Sequence, residues 1–408
     1  MMADDLGAAE LGCYGHPQHE TPHLDRLAAE GMRFRTCYAA PICSPSRVMI
    51  MTGRYGFTTG WYNFIGRAYS PSADSPLYDI GSAQLTFADM LKPRGYATAL
   101  AGKWQLSGQL PTLVHDCGFD EYRMWAYDHN LPMGVKHTGR RENARRTARF
   151  WHPSIMHNGE YMPTAADDYG PDLLVEFIVD FMERHRDQPF CVYYPMLLTH
   201  KPWEETPVPG HPDRRALSGL KSNVEYLDHV IGQLVAALEK LGLREQTVVI
   251  FTGDNGTAGA GKGQATEAGA RVPLIVSCPG TVQGGVVSDA LADLSDVLPT
   301  VVEMAGATIP RNHHVDGRSM APVLTGAAAE HRDWIFSFLG DRRILRDKRW
   351  LLDGGGTFYD CGDRRDGSGY RDVTDSTDSE VQAARERFAA LLENLRLPDV
   401  ERQQLNAP

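Results

Sequence analysis

Two hydrophobic periods alternate along most of this chain, and that alternation constrains its fold more than any single motif. Pro171–Arg186 places Leu173, Leu174, Phe177, Ile178, Phe181 and Met182 at helical spacing, and an uninterrupted apolar run follows at Phe190–Leu197. The alternation recurs further on. Ser222–Leu241 carries one stripe of Val224, Leu227, Ile231, Leu234 and Leu238, and apolar runs follow at Thr247–Thr252 and Val272–Ser277. Strands that are apolar throughout must be covered on both faces, so the expected class is α/β, with a parallel-type sheet between helices.

Upstream, Thr21-Pro22 opens a helix that stops at Gly31, Thr86–Leu91 reads as a short helix, and Tyr96–Ala101 reads as a small-residue strand. Residues 56–82 read as loop, and residues 107–170, which lack clean periodicity, as a long insertion. Past Gly326 the pattern changes. Short strands at Trp334–Leu339, Arg349–Asp353 and Thr357–Tyr359 precede a helix from about Glu380 to Leu395, which predicts an α/β domain over 1–325 and a small α+β subdomain over 326–408.

Composition removes several function classes. The 408 residues carry a formal net charge of −11, which opposes general nucleic-acid binding. Seven scattered cysteines without a C-x-x-C pair argue against a disulfide framework or a zinc knuckle. Apolar runs such as Cys191–Leu198 are too short to span a bilayer. No charged-then-apolar leader precedes Met1-Met2-Ala3-Asp4-Asp5, which reads as the end of a strand whose body is missing. The compartment is therefore open: cytoplasmic as written, periplasmic or secreted for a longer parent. Oligomeric state leaves no mark on the sequence.

Polar clusters follow the strand ends. Lys103, His200 and Asp254-Asn255 each lie just past a strand, on the edge where open α/β sheets bind ligands. Asp4, Asp5, Asp254 and Asn255 are oxygen donors without imidazole or thiolate, a set that suits calcium or magnesium rather than zinc. In Cys43-Ser44-Pro45-Ser46-Arg47, Pro45 suits a first helical turn and Gly53 a stop, so Cys43 sits where a helix N-terminus favours an anion, and Arg47 one turn further on.

Cys43-Ser44-Pro45-Ser46-Arg47 with Thr52-Gly53-Arg54 resembles the signature of the sulfatases, in which the cysteine is oxidised to formylglycine. Five further blocks match that family in order: Met2-Ala3-Asp4-Asp5-Leu6-Gly7 with Thr21–Ala28; Gly95–Trp104; Thr199-His200 with Pro202; Asp254-Asn255-Gly256; and Gly261-Lys262-Gly263 with Glu267, Gly269 and Arg271-Val272-Pro273. The resemblance implies an alkaline-phosphatase-like fold, a mixed, mostly parallel sheet flanked by helices, and hydrolysis of a sulfate monoester of a small molecule or glycan. It further implies that Asp4, Asp5, Asp254 and Asn255, with the modified Cys43, hold a calcium ion, and that a hydroxyl of hydrated formylglycine attacks sulfur. Arg47 would hold the formylglycine. Lys103, His200 and Lys262 would contact sulfate, with His200 or Lys262 protonating the leaving alcohol. A formylglycine-generating enzyme would be the maturation partner.

One position departs from the family. Gln105 stands where the pattern has histidine, and glutamine is no base at neutral pH, so Gln105 would position the nucleophile while another group takes its proton. Two competitors follow. One is a phosphonate monoester or phosphodiester hydrolase with the same nucleophile, disfavoured by Asp254-Asn255 where such relatives have Asp-His. The other is a catalytically impaired binding protein. A basic run, Lys136, Arg140, Arg141, Arg145, Arg146 and Arg149, reads first as a solvated face and second as a steering surface for a sulfated polyanion.

Overall fold

The computed structural model describes residues 1–64, 80, 84–106, 114–127, 131 and 147–395. Its largest feature is a mixed sheet built from β1 (Met2–Ala3), β2 (Met32–Tyr38), β3 (Ala97–Gly102), β4 (Glu121–Trp125), β5 (Ile155–His157), β6 (Glu160–Met162), β7 (Phe190–Tyr193), β8 (Val249–Gly253), β9 (Arg271–Ser277) and β10 (Val286–Asp293). Across the sheet the order is β6-β5-β4-β3-β7, then β1-β8-β9-β2-β10, with a parallel bridge from Met2 to Pro195 joining the two halves.

The centre, from β4 to β8, is parallel; β9 runs antiparallel to both of its neighbours, and β5 and β6 close the far edge antiparallel. Five strands of this sheet, β2, β4, β5, β6 and β10, escaped the sequence reading. Residues 107–170, read as an insertion, contribute β4, β5 and β6. The strand expected at Phe190–Leu197 stops at Tyr193, ahead of Pro195, which has no N–H for a ladder. The first strand is a two-residue element, yet it is central: Met2 and Ala3 pair with Thr252 and Gly253.

Helices cover both faces, as two-sided apolar strands demand. α1 (Pro22–Glu30), α4 (Gly170–Arg184) and α5 (Leu220–Lys240) bury Leu24, Leu27, Leu174, Phe177, Phe181, Leu227 and Ile231 against one face. α2 (Cys43–Thr52), α3 (Phe87–Leu91) and α7 (Val297–Met304) bury Val48, Met49, Phe87, Leu91 and Leu298 against the other. Between these, α6 (Glu267–Ala270) is a single turn.

A second, antiparallel sheet follows: β11 (Trp334–Leu339), β12 (Arg342–Asp347), β13 (Trp350–Leu352), β14 (Phe358–Asp360) and β15 (Arg371–Asp372), backed by α8 (Ser379–Asn394). The sequence reading lacked β12 and β15. Ser337 Oγ donates to Ala39 O at 2.6 Å, so this sheet is docked on the first directly beside the entry to α2. Among the described residues no helix is long and apolar enough to cross a membrane.

Candidate active site

Register assembles the site. Because Ala3 lies opposite Gly253 in parallel strands, the next residues of both strands leave the sheet together, and Asp4-Asp5 comes to rest beside Asp254-Asn255. Asp254 N donates to Ala3 O at 3.0 Å and Asp5 N to Asp254 Oδ1 at 2.9 Å. On the other side of β1, β3 ends at Gly102, and Lys103 N donates to Pro195 O at 2.7 Å. Gly102 has φ +125, and a Cβ there would lie 2.0 Å from the same Pro195 oxygen, so only glycine admits this approach.

The nucleophile candidate enters from α2, every residue of which is buried. Its N-cap, Ile42, offers no side-chain acceptor, so the first-turn N–H groups stay available to an anion. Cys43 is 1% exposed, and its Sγ lies with carboxylate oxygens of Asp4 and Asp5, all within 4.8 Å of one another. Burial pushes the Cys43 thiol up, partly offset by Lys103 and Lys262, so the unmodified side chain stays a thiol at neutral pH.

Three cations face three carboxylates here. Arg47, fully buried, donates Nη1 to Lys103 O at 3.0 Å and Nη2 to Asp254 Oδ2 at 2.7 Å, with Asp4 Oδ1 at 3.5 Å. Lys103 Nζ bonds both oxygens of Asp4, at 2.9 and 2.8 Å, and Lys262 Nζ lies 2.6 Å from Asp5 Oδ1. Burial drives Asp4 upward, but Lys103, His200 and Arg47 win and hold it well below the usual carboxylate range. Asp254 is pushed up to about 6 by burial and by Asp4, against Arg47.

His200 lies with its Nε2 3.8 Å from Asp5 Oδ2, while Nδ1 is 2.5 Å from Lys201 O. A carbonyl only accepts, so Nδ1 carries the proton and Nε2 the lone pair. Burial, reinforced by Lys103 and Arg149 against Asp4, brings His200 down to about 2, which keeps the ring neutral. Gln105 is 6% exposed, has φ +65, and holds its Oε1 buried without a hydrogen-bond partner.

The donor set fits a hard dication. Asn255 spends Nδ2 on Asp5 Oδ1 and Gly256 O, leaving Oδ1 buried without a donor, next to three carboxylates. Any such ion must compete with the Lys103 and Lys262 ammoniums for the same oxygens. The described residues offer one other group of close ligand atoms, Glu10, His16 and His19. There the N–H groups of Gln18 and His19 both donate to His16 Nδ1, which fixes the proton on Nε2, the atom facing Glu10 at 3.9 Å.

The Sulfatase family pattern matches residues 1–307. The chain belongs to the sulfatase family. It is 32% identical to human N-acetylgalactosamine-6-sulfatase, over 84% of this chain and 68% of that protein, and 29% identical to human arylsulfatase D, over 88% and 73%. The crystal structure of Ps i-CgsB in complex with k-i-k-neocarrahexaose superposes with a TM-score of 0.79 at 25% identity, covering 97% of this chain and 92% of that one. This sulfatase is therefore a sulfuric ester hydrolase by family, with the α/β fold its strand pattern predicts.

The sulfatase's Lys262 stands on a loop fastened from two directions. Gly263 N donates to Pro41 O at 2.7 Å and Gly354 N to Ala265 O at 2.8 Å. Just beyond, Glu267 Oε1 accepts from Tyr38 Oη at 2.8 Å and from the buried Arg346 of β12 at 2.7 Å, so the second sheet anchors the loop that presents Lys262. Asp4, Asp5, Cys43, Arg47, Lys103, His200, Asp254, Asn255 and Lys262, all singled out in the sequence, converge on this edge. Lys136, Arg140, Arg141, Arg145 and Arg146 lie outside the described residues, and Arg149, read as part of a solvated face, is 6% exposed. Tyr127 was not singled out either; its phenol is raised by burial and feels Arg47, Asp4, Arg149 and Cys43. Its only sequence signal was its place after an unrecognised strand.

Proposed function

We propose that this sulfatase hydrolyses a sulfate monoester of a carbohydrate at the cluster around Cys43, with that residue matured to formylglycine and a calcium ion held by Asp4, Asp5, Asp254 and Asn255. The observation that carries the reading is the convergence of Cys43 Sγ with the Asp4 and Asp5 carboxylates at the start of a buried helix. Formylglycine supplies a hydrated aldehyde as nucleophile, and calcium supplies positive charge for the sulfate oxygens.

The chain's own residues do the rest. Arg47 neutralises Asp254 and Asp4 and ties them to the Lys103 backbone. Lys103 and Lys262 carry the charge that receives a sulfate group, in a site dry enough for that charge to count. His200 presents a lone pair at Nε2 and so accepts a proton rather than gives one. Lys262 is therefore the donor to the leaving alcohol. Burial acts against its charge, and the Asp4 and Asp5 carboxylates act for it, which keeps its ammonium protonated. Gln105 orients the nucleophile without deprotonating it. A carbohydrate ester is favoured because the relatives include N-acetylgalactosamine-6-sulfatase and a structure bound to neocarrahexaose. We place the catalytic domain at 1–325, with 326–408 as its supporting subdomain.

The test has two parts. After co-expression with a formylglycine-generating enzyme, the Cys43 peptide should be lighter by the thiol-to-aldehyde change, and the matured protein should cleave an aryl sulfate faster than the matching aryl phosphonate. Faster phosphonate cleavage would point to the phosphonate or phosphodiester hydrolase, and a persistent thiol without cation binding to the non-catalytic binding protein.

A further inference from the structure

The loop after β7 carries His200 into the site, and the residue that follows it, Lys201, is exposed. Lys201 O accepts the His200 Nδ1 proton, which fixes the two residues to each other. The Lys201 side chain turns onto Trp203, with its ammonium 4.5 Å from the ring centroid, and Trp203 Nε1 donates to Thr199 O at 2.9 Å. The same ammonium meets the loop that presents Lys262: a Cβ on Gly259 would lie 3.2 Å from Lys201 Nζ. That loop is a tight turn, because the N–H groups of Ala260, Gly261 and Lys262 all donate to Thr257 O. His200 and Lys262 both approach Asp5, at 3.8 and 2.6 Å. Exposure rises from buried Asp5 through His200 and Lys262 to Lys201, so Lys201 lies on the open side of the cluster.

Lys92, Lys103, Lys221, Lys262 and Lys348 each pair with a carboxylate. Among the described residues Lys201 pairs with none, and its charge rests on an indole instead. Resting on the sulfatase reading, we infer that Lys201 on Trp203 forms a second anion subsite at the open side of the cluster, taking a carboxylate or further sulfate of the sugar whose ester is cut. The indole face attracts the ammonium through its quadrupole but supplies no lone pair, so the N–H groups turned away from the ring are open to an anion. The Trp203 anchor on Thr199 fixes where the cation stands, which lowers the ordering cost of using it. In a protein of net charge −11, attraction for a polyanion has to be local, and an unpaired cation beside His200 supplies it.

The experiment compares matured wild type, Lys201→Gln, Lys201→Glu and Lys201→Arg on three disaccharides: one with a single sulfate, one with two sulfates, and one with a single sulfate and a uronate. For Lys201→Gln, the loss of kcat/KM on at least one dianionic sugar should exceed the loss on the monosulfated sugar by about fivefold, through KM, the scale of one partly exposed ion pair. The salt dependence on that sugar should flatten, because one screened attraction is gone. Lys201→Glu should widen the gap, and Lys201→Arg, which keeps the charge and also stacks on an indole, should close it. The sugar that suffers more identifies the anion. Equal losses on all three sugars, or none, would overturn the inference, as would a wild type that cleaves the monosulfated sugar but neither dianionic one. If wild type cleaves none of the three, calorimetric titration with the disulfated sugar decides the subsite, which requires weaker binding by Lys201→Glu than by wild type. Binding equal in the two, or absent from both, sinks it. The sulfatase reading itself fails only if wild type cleaves no aryl sulfate either.

Discussion

Arg47 Nη2 meets Asp254 Oδ2 at 2.7 Å across 207 positions of chain, and neither group is exposed to solvent. The pair joins the helix that carries Cys43 to the strand end that carries half of the oxygen donors. A buried ion pair stabilises little by itself, but removing one partner strands the other charge in a low dielectric.

Arg47→Met should therefore destabilise the cation-free protein by about 3–5 kcal/mol, read from urea unfolding, because Asp254 and Asp4 lose their shared counter-charge. A loss no larger than that of an exposed arginine would show that the carboxylates are neutralised some other way.

Calcium should raise thermal stability, and by about 2.7 kcal/mol at a free concentration of 100 times Kd. Asn255→Leu, close in size but lacking the amide oxygen, should lose most of this gain in unfolding scans with and without chelator. Because burial and Asp4 push Asp254 up to about 6, protons compete with the cation below that pH, and calcium affinity should fall as pH drops through it.

Gln105→His should increase kcat of the matured enzyme on an aryl sulfate. A base at that position adds about 10²-fold or more where proton removal limits turnover. The pH–rate profile should gain an ascending limb in the imidazole range; an unchanged profile would mean that the glutamine enzyme already has another acceptor.

Away from the site, Asp172 in the first turn of α4 accepts from Tyr226 Oη at 2.7 Å. Burial pushes its carboxyl up to about 6, only partly offset by that bond. A folded value above the unfolded one, about 3.9, means the contribution is fully present below pH ~4 and is lost as pH rises through about 6. Asp172→Asn keeps an acceptor for Tyr226 and should remove this slope, gaining about 2–3 kcal/mol relative to wild type at pH ~8 in denaturant titrations.

Much of the scaffold was legible because its signals are local. The stripe of Leu174, Phe177, Ile178 and Phe181 predicted α4, and the apolar run at Val272–Ser277 predicted β9, within a residue or two. The antiparallel sense of β9 was not legible, since a strand buried on both faces reads the same in either direction. β2 was missed because Arg33 and Arg35 alternate with Met32 and Phe34, so it lacks the uninterrupted apolar run that marked the other strands, and β4 because the sequence around it has no clean periodicity.

The sequence by itself determined the residue types of the site and their order: one cysteine at a helix start, three carboxylates and an amide, two lysines, a histidine, and a glutamine in place of a base. Those are properties of short segments, and short segments carry them. Only the tertiary structure decided that Ala3 stands opposite Gly253, that Lys103 and Lys262 spend their charge on Asp4 and Asp5, that His200 holds its proton on Nδ1, and that Arg149 is buried on Trp125 rather than solvated. Each of these depends on strand register and on desolvation. Both arise from packing between distant segments, which local composition does not encode.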